Sequence, residues 1–362
     1  VLVLNPRQVA AREVADALLS SAAGVGKPAG HIDRSLQTVV ASKSRGLREL
    51  LMIVVVARLM DPTFRASRDY GACRPRGLYP GIRAAFTSVD IPHGKDGALN
   101  VAKGNPPIDR QWAGARDDKA AADEVVRLVG AIEGMNSVEV EELGAQLARL
   151  LLLEAVRVAD MNVVIDPSED PDWLVAACRQ MIEAAPDHGN TPQTIVGLLL
   201  EAKAAALQAP VRVNGIGDAA CVTTSTSNKL GDLCILNSAG EPLVAYEVTV
   251  KTFGPERTTD ATAAIHDYNV ASGAVVTEMT VLCRPEDLHP HATGGDGASA
   301  YLGVVDDQDV RYRFIDVFGW IRYELLALPP SGRAKFHSAI ATYVNDANTA
   351  ESVKSAWARI NA

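Results

Sequence analysis

The sequence predicts a mixed α+β protein: a helical N-terminal part, a core with a mixed sheet flanked by helices, and C-terminal helices. Three observations carry this. Apolar residues recur at helical spacing over much of the first half. Past residue 190 the pattern shortens to strand-like alternation around 232–236 and 242–252. The order helix, strand, strand, strand, helix, strand then places helices on the faces of one small sheet. The break Pro186-Asp187-His188-Gly189 divides a mainly helical domain, 1–188, from a second domain, 189–362. A chain of 362 residues that is 48% apolar is long enough for two such cores.

The elements follow in order. Helical spacing predicts helices over Pro6–Leu19 and Ser44–Met60. Residues 61–116 are rich in Gly, Pro and Arg and read as irregular chain, which at this length is usually functional or disordered. Helices resume at Lys119–Glu133, Val138–Met161 and Asp170–Ala185, the last opened by Asp170-Pro171. Thr191–Gln208 is a helix with Thr191 as cap and Pro192 at its first position. Val211–Asn214 and Asp232–Leu236 read as strands, Asn237–Gly240 as a turn, and Pro242–Thr252 as a β-branched strand. Glu256–Ala271 is a helix and Val275–Cys283 a strand, and 312–328 and 331–361 read as helices.

Composition removes several classes. The cysteines Cys73, Cys178, Cys221, Cys234 and Cys283 are widely spaced with no C-x-x-C pair, which excludes a zinc ribbon or thioredoxin motif. Reduced thiols in a cytoplasmic protein are expected. The longest apolar run, LLMIVVVARLM, falls short of the roughly 20 residues a bilayer span requires, so no membrane partner is expected. The opening VLVLNPRQVAAREVADALL has no basic segment followed by a cleavage site, so no secretory leader is expected. Lacking an initiating Met, the chain is expected to have been trimmed.

The hairpin around 232–251 holds the chemistry. Asp232 opens one strand and Glu247 lies on the next, so a hairpin can bring the two carboxylates together. Alternation puts Glu247, Thr249 and Lys251 on one side and Val248 and Val250 on the other. Two carboxylates suit a hard divalent cation such as Mg²⁺, with Mn²⁺ as a substitute. A nearby lysine can orient or deprotonate a water and stabilise charge on a phosphate. This is the arrangement of the PD-(D/E)xK nucleases. An exposed Asp, Glu and Lys on a hairpin often form only a cross-strand salt bridge, but Glu247 sits in the apolar context LVAYEVTV, where a charge needs a reason. The usual pattern has Lys two residues after Glu, where this chain has Thr249. Lys251 lies one same-face step further, and Lys229 is a second candidate.

The stretch GDLCILNSAGEPLVAYEVTVKTF resembles the active-site hairpin of the SacI family of type II restriction endonucleases, in which the Lys lies four residues after the Glu. The segment DYGACRPRGLYPGIRAAFTSVDIPHGKDGALNVAKGNPPIDRQW is similar to that family's N-terminal segment, and FIDVFGWIRYELLAL to its C-terminal helix. The likeness is patchy, from roughly residue 45 to 345. It implies a PD-(D/E)xK-type core and Mg²⁺-dependent cleavage of double-stranded DNA at a short palindromic site. Asp232 and Glu247 would be metal ligands and Lys251 the catalytic lysine. It further implies a homodimer matching a two-fold site and a DNA methyltransferase encoded nearby that protects the host DNA. Two alternatives stand beside it: another nuclease of the same core acting in repair or on DNA structures, and a non-catalytic sequence-specific DNA-binding protein.

DNA contacts are expected from Arg65, Arg68, Arg74, Arg76, Lys103 and Arg110, with Asn105 and Gln111 for adenine and Arg74 or Arg76 for guanine. Asn228 and Lys229, just before the catalytic strand, join them. The formal charge of −9 first argues against nucleic acid. Residues 33–116, however, hold 14 Lys and Arg against 7 Asp and Glu, a local balance of +7 that leaves −16 elsewhere. DNA is therefore expected at 33–116 and the 232–251 hairpin. Glu201-Ala202-Lys203 spells E-x-K on a helix, where i and i+2 do not share a face. It reads as a solvated face, unless Glu201 reaches the metal. His289 and His291 lack a third ligand at typical spacing and read as a loop pair.

Overall fold

The computed structural model describes residues 3–24, 30–94, 97–217 and 230–360. The chain divides into two units, Val1–Asp160 and Met161–Ala362. The division comes before the predicted break at 188. The reason is that Leu174, Cys178, Met181 and Ile182 share an apolar cluster with Ile195, Leu199 and Trp357, so their helix belongs to the second core.

Among the described residues the first unit is all helical. Its elements are α1 (Pro6–Ser21), α2 (His31–Ala41), α3 (Arg45–Met60), α4 (Tyr79–Thr87), α5 (Gly97–Val101), α6 (Arg110–Gly114), α7 (Lys119–Gly134) and α8 (Ser137–Ala159). Helix α3 is the axis: every residue from Gly46 to Arg58 is buried. This is why LLMIVVVARLM is apolar all round. No described helix is long and apolar enough to cross a membrane. The sequence missed α2, whose stripe Ser35, Leu36, Val39 and Val40 is short and set among polar residues.

Residues 61–116 depart most from expectation. They fold into two 3-10 turns, Tyr70–Cys73 and Pro75–Gly77, followed by α4, α5 and α6. Asp69 and Asp109 cap the first turn and α6 by accepting from Ala72 N and Trp112 N. Phe64, Tyr70, Tyr79, Phe86, Ile108 and Trp112 anchor the segment in the core. Ions buried on α3 hold it as well. Glu49, fully buried, accepts from Tyr79 Oη at 2.6 Å, Gly94 N at 2.6 Å and Ala98 N at 3.0 Å. Burial pushes its carboxyl above the usual range, against those hydrogen bonds. Arg58 donates to the carbonyls of Pro62, Phe64, Glu133 and Met135. Arg48 pairs with Glu154 at 3.3 Å and donates to Val40 O and Pro92 O.

The second unit is a sheet with helices on both faces. Helices α9 (Pro171–Ala184) and α10 (Asn190–Ala206) precede strands β1 (Arg212–Asn214), β2 (Leu233–Leu236) and β3 (Pro242–Val248). Then come α11 (Pro255–Ser272), β4 (Glu278–Cys283), β5 (Thr293–Gly294), β6 (Tyr301–Asp307) and β7 (Val310–Asp316). Helices α12 (Val317–Ala327), α13 (Pro330–Asn345) and α14 (Glu351–Ile360) close the chain. The sheet order is β1-β2-β3-β4-β7-β6-β5. Strands β1, β2 and β3 are antiparallel, whereas β4 runs parallel to both β3 and β7. Leu233, Val248 and Leu282 pack with α9, α10 and α12–α14 on one face. Cys234, Ala245, Val281, Tyr312 and Phe314 pack with Phe253 and Ile265 on the other.

Four expectations are corrected. Residues 312–316 are strand, because Val310, Tyr312 and Phe314 alternate inward against exposed Arg311. The turn at Gln308 (φ 55°) closes a β6–β7 hairpin that the sequence reading missed. The helix expected over 331–361 is two, separated at 346–350. Thr191 does not cap α10, since the cap is Gly189 and the Thr191 hydroxyl donates to Ala185 O at 2.6 Å. Strand β3 ends at Val248 rather than Thr252. Cys73, Cys178, Cys234 and Cys283 are unpaired and buried, and Cys221 lies outside the described residues.

Glu49→Ala removes the one acceptor shared by the buried Tyr79 phenol and the N–H groups of Gly94 and Ala98. It is expected to cost about 3 kcal/mol, read as a loss in urea unfolding free energy. A loss below about 1 kcal/mol counts against Glu49 as the pin of this segment.

Candidate active site

The site forms where β2 begins and β3 ends. Gly231 enters β2 at φ 78°, and a Cβ there would lie 2.6 Å from the Tyr246 carbonyl oxygen, so glycine is required. Asp232 follows. Its N–H donates to Tyr246 O at 2.9 Å, and its Oδ2 accepts from Val248 N at 3.0 Å. The strand pairing ends at Leu233↔Tyr246, and Asp232, just ahead of it, bonds the backbone on either side of Glu247, through Tyr246 O and Val248 N. Gln193 of α10 donates to Gly215 O at 2.7 Å and Asp232 O at 3.3 Å, tying the strand entry to the helix. The sequence reading brought these two carboxylates together, and the fold places them side by side.

Glu247 shares its face with Ala245, on the α11 side of the sheet, and its side chain is 16% exposed. Burial pushes its carboxyl up to about 8, the neighbouring charge of Asp232 adds to the rise, and Arg257 opposes it. Arg257 is the residue the sequence reading missed. It stands in the first turn of α11, where Nη2 meets Glu247 Oε1 at 2.9 Å and Nη1 meets Thr249 Oγ1 at 2.8 Å. Its guanidinium lies 4.8 Å from the Phe253 ring centre. A signal existed, because a cation in the first turn of a helix opposes the macrodipole and needs an anion nearby.

Lys251 sits differently from the alternation argument. Thr249 N still donates to Leu282 O at 2.9 Å, but the Thr249 hydroxyl then donates to Lys251 O at 2.9 Å and accepts from Lys251 N, bending the chain. Arg284 holds the bend through Val250 O at 3.0 Å. Val248 and Val250 do pack on the opposite face, as expected. The Lys251 side chain is exposed beyond the end of β3.

The remaining expected residues divide by place. Asn228 and Lys229 lie outside the described residues. In the first unit, Arg68, Arg74, Arg76, Lys103, Asn105, Arg110 and Gln111 are exposed, whereas Arg65 is half-buried and donates to Phe64 O at 3.0 Å. Two loops carrying them run side by side: Ile108 N donates to Ala66 O at 2.9 Å, and Asn105 lies against Gly71. Arg74 and Asn105 hold left-handed backbone, at φ 49° and 53°. Glu201 is two helical turns past Gln193, roughly 12 Å along α10, in an exposed groove with Val211 and Arg212. It does not join the acidic pair. Glu201 is exposed, as a solvated face would be, and Lys203, 38% exposed, pairs with buried Glu324 at 2.6 Å. His289 is buried against Phe314, its ring 5.5 Å from that of His291.

A carboxyl raised in the folded chain binds its proton more tightly there than in the unfolded chain. The stability it contributes is full below about 4.5 and is lost as pH rises towards about 8. In chelator, thermal stability is expected to decline across that window from this group. Glu247→Gln should flatten that part of the decline, read as melting temperature against pH. An unchanged slope would show that Glu247 is already ionised at low pH.

Neither a family model nor a curated protein sequence matches the chain.

Proposed function

We propose that the chain is a metal-dependent endonuclease that hydrolyses double-stranded DNA, of the type II restriction class, acting as a homodimer on a short palindromic site. One observation carries the reading: Asp232, just ahead of β2, bonds the β3 backbone on either side of Glu247, inside the element order α10-β1-β2-β3-α11-β4. A half-buried carboxylate beside a second one is costly unless cations share the site.

The donor set fits a hard divalent cation. Among the described residues no third His, Cys, Asp or Glu joins a metal-holding group. Mg²⁺ commonly binds through one or two carboxylates plus waters and substrate phosphate, so two suffice. Asp232 and Glu247 would hold it, and when bound it supplies charge stabilisation at the phosphate and a more acidic water. Asp232 is kept aimed by the Val248 N–H. Lys251, exposed at the bend after β3, orients the attacking water and offsets charge on the scissile phosphate. The cationic loops of the first unit hold the phosphate backbone, and Asn105, Gln111, Arg74 and Arg76 supply groups suited to base edges.

Incubation with phage DNA and Mg²⁺ is expected to give discrete fragments. Asp232→Asn and Lys251→Ala should each cut at least 100-fold more slowly, while Asp232→Asn retains site-specific binding in a gel shift. Fragments with no fixed ends would point instead to a structure-specific or repair nuclease. Specific binding with no cleavage in Mg²⁺ or Mn²⁺ would point to a non-catalytic DNA-binding protein.

Separately, Arg68→Ala and Lys103→Ala are each expected to weaken DNA binding across all sequences and to lower the salt slope by about 1. Unchanged slopes in both would remove the first unit's loops from the interface.

A further inference from the structure

We infer that Arg257 is the resident counter-ion of the acidic pair: it holds Glu247 in the metal-free protein, gives it up to a divalent cation, and turns the freed arm to a DNA phosphate. The inference rests on the nuclease reading above and deepens it.

The contacts argue for exchange rather than for a fixed brace. Arg257 reaches Glu247 through one nitrogen and one oxygen, Nη2 and Oε1 at 2.9 Å. The other carboxylate oxygen, Oε2, accepts no hydrogen bond from the described residues. The guanidinium has a second set of anchors that do not involve Glu247. Nη1 donates to Thr249 Oγ1 at 2.8 Å and Lys251 O at 3.3 Å, and the plane rests 4.8 Å from the Phe253 ring centre. Losing Glu247 therefore frees one arm while the rest stays seated. A guanidinium can do this because its donors are fixed in a fork, and an ammonium cannot.

Its position gives the exchange a purpose. Thr249 stands two residues after Glu247, where the E-x-K pattern has lysine. Arg257 brings its charge to the Thr249 hydroxyl from the neighbouring helix. The side chain is 37% exposed, so the freed arm has access to a ligand from solvent. It stands in the first turn of α11, where N–H groups and the positive end of the macrodipole favour phosphate.

The test is calorimetric titration of the chelated 362-residue protein with Mn²⁺, without DNA. Wild type, Arg257→Gln, Arg257→Lys and Asp232→Asn are compared, each first checked for a native circular dichroism spectrum. Arg257→Gln is expected to bind Mn²⁺ about tenfold more tightly than wild type, because a competing cation is gone. Arg257→Lys, which cannot bridge Glu247 and Thr249 together, should fall between them. In Ca²⁺, Arg257→Gln should bind DNA more weakly although its metal site is stronger. Equal or weaker Mn²⁺ binding by Arg257→Gln overturns the exchange and leaves Arg257 as a brace between α11 and β3. Tighter metal binding with unchanged DNA affinity overturns the phosphate role. Mn²⁺ binding that is absent from both wild type and Arg257→Gln, or that survives Asp232→Asn unchanged, overturns the nuclease reading and this one with it.

Discussion

The parallel pairing of β3 with β4 is the constraint on which the second unit turns. Antiparallel neighbours such as β2 and β3 are joined by a short turn, here Asn237–Gly240. Parallel neighbours need a crossover, and that crossover is α11. The chain must leave the end of β3, bend, and start a helix beside the strand end it has just left. Thr249, Arg284 and Arg257 make the bend by bonding its backbone at 249–251. The first turn of α11 then lies against Glu247, so the topology that orders the sheet also delivers a cation to its buried carboxylate.

The same economy appears in the first unit, where ions buried on one helix order a long irregular segment. Glu49 gathers Tyr79, Gly94 and Ala98, while Arg58 gathers four carbonyls. Backbone groups left without partners in a loop would be costly to bury. A charged side chain with several hydrogen-bonding directions satisfies more of them at once than a neutral one. The charge itself costs desolvation, which these multiple hydrogen bonds offset.

Much of this was legible in the sequence, and the exceptions have physical causes. Helix α8 shows a long periodic stripe and α3 a long unbroken apolar run, and signals of that length survive tertiary packing. The β2–β3 hairpin announced itself by alternation and the Asn-Ser-Ala-Gly turn, and with it the pair Asp232 and Glu247. The β6–β7 hairpin stayed hidden because Tyr312, Phe314 and Ile315 run into Phe318 and Ile321 at spacing that also suits a helix. Its turn, Asp307-Gln308-Asp309, lacks a glycine although Gln308 has φ 55°. Lys251 was placed by alternation, which fails once hydrogen bonds to Thr249 bend the chain. Arg257 was missed because its partner lies ten residues back, beyond the bend after β3, and a cation in a first helical turn does not say which anion it meets.

Burial also changes what the charge count means. Of the ions in residues 33–116, Arg48 and Arg58 are buried on the cationic side and Glu49 on the acidic side. Setting them aside leaves 12 cations against 6 acids, so the balance shifts only from +7 to +6. The internal ions build the scaffold and nearly cancel, whereas Arg68, Arg74, Arg76, Lys103 and Arg110 remain on the surface. A segment whose fold is pinned from within can present fixed cations without the ordering cost a flexible basic loop incurs on binding. On the proposed function, that distinction would favour recognition of a defined DNA geometry over diffuse attraction, since only fixed donors can discriminate one base edge from another.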